Sequence, residues 1–362
     1  WDIIKNKSYQ AFDPVSSTVT SKVKGLGFVN NTNIQRALDS DFLIRNDEKY
    51  RLFDTADYII PPTEYNSIFL MTNFVETVQT QSKCGEDYTK KTFHCKTDSD
   101  CIVSSSSYNN WHGIPTGKCI DSPLNGIKVC EISGWCPVEI ETESTRNLIE
   151  NIENFTIFIK NDIQFKKYGK KQRNILPNIT NDYISSCKHD DKTDPYCPVF
   201  LVSEILEDAE PDLMERKQIL QKGGVVQIEI NWECNLDTDF KKCMPKYSFE
   251  RFDLKFRDLT GASGFNFRFA DKYAVNGTIY RTLIKAYGLR FIIVVTGKAG
   301  RFDFIPLLLT IGAGIGLLAI PTLIADFILL NLTKERKFYQ KLKEYDYKSN
   351  ENKEITMVED RF

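Results

Sequence analysis

The sequence predicts a membrane protein whose β-rich, disulfide-bonded extracellular domain is carried on an apolar helix near the C-terminus. Three observations carry that expectation. The ten cysteines fall in even groups of six, two and two. From Phe304 to Leu332 the chain is strongly apolar with Asp326 its only charge, long enough for a helix to cross a bilayer core. Most of the remainder alternates polar and apolar residues with the period of two that marks strands.

With 362 residues the chain can bury a sizeable core, and a net charge of −2 with a pI near 6.1 gives no overall bias toward nucleic acid or anionic lipid. Any anion site must be local. The chain opens at Trp1 without Met or signal peptide, and reads as processed or as the ordered part of something longer. Up to about residue 83 it reads as extended segments between Gly, Pro and Asp/Asn breaks, the longest being YNSIFLMTNFVETVQT. Residues 84–136 hold Cys84, Cys95, Cys101, Cys119, Cys130 and Cys136 with few long apolar runs, so cross-links must supply the rigidity that burial cannot. Spacing alone does not choose among their pairings.

IENFTIFIKNDIQF (152–165) returns to strand alternation, and the polar loop 187–197 is closed by Cys187 and Cys197. Positions 204–221 carry a helical period through Ile205, Leu206, Leu213, Met214, Ile219 and Leu220, predicting one helix. Strands follow at GGVVQIEINWEC (ending on Cys234), at YSFERFDL after Cys243, at GFNFRFADKY and at IYRTLIKAYGLRFIIVV. Only TGKAG (296–300) separates the last strand from the start of the membrane segment, so movement of the sheet would reach the helix with little slack. The extracellular domain is thus placed at 9–302, the membrane helix at 303–332 and a tail at 333–362. Lys334, Arg336 and Lys337 put that tail in the cytoplasm.

The cysteines read as disulfides, because no tight C-x-x-C pair occurs and the histidines are only His94, His112 and His189. Five disulfides require an oxidising, extracellular setting. The sequons at Asn6, Asn30, Asn178 and Asn276 agree with it. His94 and His112 read as surface residues, and no metal site is expected.

Three strand candidates carry polar residues two apart, on one face: Lys22/Lys24, Asn266/Arg268 and Arg281/Leu283/Lys285. Solvated sheet faces carry such residues routinely. Were the groups to converge, their partner would be a small polyanion, lysine offering point charges and arginine a planar fork. No G-x-x-x-x-G-K-[ST] phosphate loop is present. Gly312 to Gly316, GAGIG, lies in the apolar run, where small residues serve close helix packing or pore lining.

KVKG, NFTIFIKN, NFRFA, YRTLIKAYGLRF, GWCP, CMPKYSF, ADFILLN and the ten-cysteine pattern resemble the P2X receptors, ATP-gated trimeric cation channels. The resemblance implies a trimer with two membrane helices per subunit, in which residues 1–8 are the outer end of a first helix otherwise absent. It implies the pairs Cys84–Cys136, Cys95–Cys119, Cys101–Cys130, Cys187–Cys197 and Cys234–Cys243, with 84–136 forming a head. It places ATP, as agonist rather than cofactor, between subunits. Lys22, Lys24, Thr156 and Phe158 would come from one, and Asn266, Arg268 and Lys285 from its neighbour. Thr156 would read adenine, and the sequon at Asn154 beside it is expected to stay unmodified. Leu309, Thr310, Ala313 and Gly316 would face the pore, with Asp326 making a polar contact near the inner membrane face. Pro321 and Thr310 depart from the residues expected at their positions. YQKLK (339–343) resembles the family's Tyr-x-x-x-Lys trafficking motif.

The implied partners are ATP, the permeant ions Na, K and Ca, the lipid bilayer, and further subunits in a homotrimer or a mixed trimer, with no nucleic acid. The implied location is the plasma membrane, multi-pass, with both termini cytoplasmic. Two alternatives differ in class. A proton- or peptide-gated trimeric channel shares the architecture, though three histidines suit a pH sensor poorly. An ectonucleotidase would need a metal-binding set and a water-activating base, for which no convincing cluster is present.

Overall fold

The computed structural model describes residues 5–30, 50–61, 64–102, 111–124, 126–142, 145–177, 179–253, 264–332, 334 and 336–343. Asn178, the side chain of Asn30, residues 1–4 of the segment assigned to a first membrane helix, and the tail beyond Lys343 lie outside them. The strands are β1 (Gln10–Pro14), β2 (Ser16–Lys24), β3 (Gly27–Asn30), β4 (Tyr50–Phe53), β5 (Ser67–Gly85), β6 (Gly113–Asp121), β7 (Lys128–Cys136) and β8 (Asn147–Leu148). There follow β9 (Thr156–Phe165), β10 (Lys170–Arg173), β11 (Val199–Leu201), β12 (Gly224–Asn235), β13 (Lys246–Arg251), β14 (Asn266–Val275) and β15 (Thr278–Phe302).

Two compact units result, one of residues 14–233 and 243–298, the other of 1–13, 234–242 and 299–362. In the larger, a sheet runs in the order β13-β12-β15-β5-β7-β6, with β14 on β15 and β8 on β5, and a second runs β10-β9-β11 with β2 on β9. Alternation decides what each strand buries. β12 turns Val226, Ile228, Ile230 and Trp232 inward, all fully buried, while Gln227, Glu229 and Asn231 face out. Each buried aliphatic side chain contributes about 1.5–3 kcal/mol. β5 differs, since Ser67 to Val75 are all buried, as befits a strand covered on both faces.

A buried polar network locks the two sheets. Trp232 Nε1 donates to Asn161 Oδ1 (2.7 Å), Asn161 Nδ2 to Thr18 O (3.0 Å), and Asn161 N to Asn174 Oδ1 (2.8 Å). Asn174 Nδ2 in turn reaches Ile159 O (2.8 Å) and Tyr247 Oη (3.1 Å).

The pairs Cys84–Cys136, Cys95–Cys119, Cys101–Cys130 and Cys187–Cys197 form as the resemblance implies. Cys234 and Cys243 are disulfide-bonded too. The single helix expected at 204–221 is instead two, α3 being Val202–Ala209 and α4 Leu213–Lys222, after the short α1 (Thr55–Tyr58) and α2 (Asn181–Ser186). Pro211 is the reason. It lacks an N–H and disfavours helical Glu210, and Asp212 restarts the helix by accepting from Met214 N at 2.9 Å.

In the smaller unit, the end of β15 passes through Asp303 into α5 (Phe304–Phe327), which continues as a π-helical turn over Ile328–Leu332. The expected TGKAG break belongs to the strand itself. Gly297 permits this at φ +127°, where a Cβ would stand 2.1 Å from Trp232 O. Asp303 Oδ1 caps α5 through Ile305 N (3.0 Å), and Asp237 accepts from Phe302 N (2.7 Å) and Gln10 Nε2 (2.5 Å). Among the described residues, Phe304–Leu332 is the helix long and apolar enough to cross a membrane. Its 29 residues exceed the roughly 20 needed, and it runs through Pro321.

Candidate functional site: two cationic faces on separate sheets

The antiparallel register of β2 on β9 sets Lys22 opposite Phe158 and Lys24 opposite Thr156. All four share one face, while Val23, Ile157 and Ile159 are buried on the other. The end of β2 is bolted down. Thr55 Oγ1 donates to Val23 O (3.1 Å) and Tyr58 Oη to Gly25 O (3.2 Å). The buried Phe155 ring lies over Gly25, 2.2 Å from where a Cβ would be, so glycine is required by the close approach. Further along the same face Lys160 pairs with Asp162 (3.6 Å). Lys22 and Lys24 are exposed, and among the described residues no carboxylate pairs with either. Adjacent same-face residues of a strand lie about 6–7 Å apart, so this is an uncompensated dication.

The second face lies on the larger sheet. β14 pairs with β15 so that Asn266 faces Tyr287 and Arg268 faces Lys285. Here the cations are already partnered, by carboxylates that sequence reasoning missed. Arg268 holds Glu139 in a fork, Nη2 to Oε1 at 2.8 Å and Nε to Oε2 at 3.0 Å, though half its side chain is exposed. Lys285, only 9% exposed, donates to Glu141 Oε2. Glu141 Oε1 accepts from Tyr287 Oη (2.5 Å) and Arg146 Nη2 (2.6 Å). A signal was present, since Glu139 and Glu141 repeat two apart directly after Cys136-Pro137. Arg146 left no sequence signal.

The third polar group divides. Arg281 stacks on Trp135 (4.5 Å to the ring) and donates to Gln79 Oε1 (2.7 Å), so only Lys285 of that group joins the cluster. Among the described residues no hydrogen bond or ion pair joins the Lys22/Lys24 face to the Arg268/Lys285 face. In α5, Leu309, Ala313 and Gly316 are exposed along one helical stripe, whereas Thr310 Oγ1 donates to Pro306 O (2.8 Å) and Ser8 O (3.2 Å). Asp326 pairs with Lys343, the last residue of YQKLK.

Burial alone would raise the Glu141 carboxyl, but bonds from Lys285, Tyr287 and Arg146 hold it at about 2 against an ordinary 4.5. A depressed carboxylate contributes stability above its unfolded pKa and loses it as pH falls through the folded value. The melting difference between the protein and Glu141→Gln is therefore expected to be constant from neutral pH to about pH 5, and to vanish as pH falls from 4.5 toward about 2. A melting series across that range measures it, and a difference that fades already near pH 6 would contradict the assignment.

The fold and these faces together give a disulfide-braced β-rich domain joined to a helix long and apolar enough to cross a membrane, with exposed cations on one sheet and carboxylate-held cations on the other. The family model described as ATP P2X receptor matches residues 1–346. Over 351 residues the chain is 42% identical to P2X purinoceptor 4 of Bos taurus, covering 96% of this chain and 85% of that one. It is 36% identical over 343 residues to P2X purinoceptor 5 of Mus musculus, covering 94% and 71%. Among solved structures, an invertebrate P2X receptor from the Gulf Coast tick, crystallised with ATP and Zn2+, superposes with a TM-score of 0.77 at 36% identity, covering 91% of this chain and 96% of that one. The chicken ATP-gated P2X7 receptor channel with the competitive antagonist TNP-ATP gives 0.71 at 33% identity, covering 92% and 95%. The chain belongs to the P2X receptor family. Its members are ligand-gated channels rather than enzymes, known as trimers, and the family implies the plasma membrane with a large extracellular domain.

Proposed function

We propose that the chain is a subunit of a non-selective cation channel that opens to Na, K and Ca when extracellular ATP binds between subunits. The observation that carries this is the uncompensated Lys22/Lys24 pair beside Thr156 and Phe158, answered by Asn266, Arg268 and Lys285 on another sheet. Four cations of this kind suit a triphosphate, which relieves the repulsion between the lysines. The absence of bonds between the faces among the described residues favours a site completed by a neighbouring chain. Thr156 reads adenine and Phe158 supplies apolar contact.

ATP shifts the gate only by binding the open form more tightly. Closure around it moves the lower part of β15, Phe291 to Val295, and the strand transmits that movement through Asp303 to α5 without a flexible linker. Leu309 and Ala313 then part at a pore lined also by Thr310 and Gly316, apolar side chains having held it shut by excluding water. Residues 9–302 are extracellular, 303–332 cross the membrane, and 1–8 end a first helix, leaving both termini cytoplasmic. The trimer holds copies of this chain or related subunits. Asn276, exposed at the turn between β14 and β15, is an accessible glycan acceptor.

Whole-cell recording from the full-length protein, in cells without native ATP responses, tests this directly. ATP should evoke an inward cation current. Silence to ATP with confirmed surface expression, or a current evoked only by acid, would reject the reading.

A further inference from the structure

We infer that Arg146, Lys285 and Tyr287 form a cradle for one phosphate group of the ligand, and that Glu141 occupies it as a tethered internal competitor until the ligand displaces it. The inference rests on the proposed phosphate role of Lys285 and adds Arg146, Tyr287 and Glu141 to that site.

Two cations and a phenol converge on a single carboxylate. Lys285 takes Oε2, and Tyr287 and Arg146 share Oε1, at 2.5 and 2.6 Å. The Lys285 ammonium and the Arg146 guanidinium also flank the Tyr287 ring, 4.9 and 5.4 Å from its centroid. Such an arrangement binds an anion whatever its source.

The occupant does not fill it. Arg146 Nε is buried without a hydrogen-bond partner among the described residues. A buried unsatisfied donor is costly, and a carboxylate has only two oxygens, both engaged. A phosphate group brings a third oxygen and more charge, so it can meet this donor as well. Glu141 is also poised to leave. It lies in a stretch that is neither strand nor helix, between Cys136 at the end of β7 and Thr142, whose N donates to Thr145 Oγ1 (2.9 Å), and about a quarter of its side chain is exposed. Tethering gives it a high local concentration, which lowers apparent ligand affinity without blocking the site.

The test compares Glu141→Gln and Glu141→Gln/Arg146→Gln with the unmodified full-length protein. It reads the ATP concentration for half-maximal current, and inorganic triphosphate binding to purified protein by calorimetry. Glu141→Gln should tighten both by about tenfold, the scale of one charge-assisted contact, and adding Arg146→Gln should abolish the gain. If Glu141→Gln fails to reach the surface, Glu141→Asp keeps the charge but draws it back by a methylene, and should show a partial gain. Unchanged or weaker triphosphate binding in Glu141→Gln or Glu141→Asp overturns the proposal, as does a double variant as tight as the single one. The two readings separate cleanly. Normal ATP currents with an affinity indifferent to Glu141 reject the cradle alone. The expected pattern of triphosphate binding without any ATP current upholds the cradle and rejects the channel reading.

Discussion

Lys24→Ala is expected to raise the ATP concentration for half-maximal current by about a hundredfold or more, with surface expression unchanged. The size follows from losing a charge-assisted contact to phosphate, about 3 kcal/mol at the upper end, at 1.4 kcal/mol per tenfold. The unchanged expression follows from the strand. Lys24 is exposed and without a carboxylate partner among the described residues, whereas Val23 carries the packing. Removing one of two repelling ammonium groups should if anything ease the fold. Concentration–response curves with surface labelling check both statements together. A normal ATP response in this variant would refute the assigned site.

Asn161→Leu is expected to destabilise the extracellular domain by about 2–4 kcal/mol, because it strands several groups at once. The side chain is nearly isosteric and wholly buried, so volume is not the issue. Trp232 Nε1 would lose its acceptor at 2.7 Å, and Thr18 O its donor at 3.0 Å. The first loss falls between the sheet carrying Lys22 and Lys24 and the sheet carrying Arg268 and Lys285, so the orientation of the two faces should loosen as well, whereas the second falls within the lysine sheet, between β9 and β2. A lowered melting temperature of the purified protein, with the disulfides intact, is the measurement. An unchanged melt would mean that the network contributes nothing net.

The strands were legible because their period of two survives any tertiary arrangement: β5, β9, β12 and β15 lie where alternation and apolar runs put them. The lone misread helix failed on a signal that was present, Pro211, outweighed by the apolar period on either side. The break expected at TGKAG failed for a subtler reason. Gly297 serves a close approach of Trp232's backbone, and proximity across more than sixty residues leaves no local trace.

The candidate site divides along the same line. Lys22 and Lys24 could be read as a pair because both lie on one strand, and strand geometry alone puts them on one face. The resemblance to the P2X receptors named their partners. What opposes those partners was not readable. Glu139, Glu141 and Arg146 lie more than a hundred residues from Arg268 and Lys285, and which carboxylate meets which cation depends on how the segment after Cys136 crosses β14 and β15. The sequence by itself determined the compartment, the membrane helix, the strand faces and the lysine pair, since cysteine parity, hydropathy and periodicity are local. Only the tertiary structure decided that two of the site's cations are held by the chain's own carboxylates and two are not, because charge compensation is settled by distance in space.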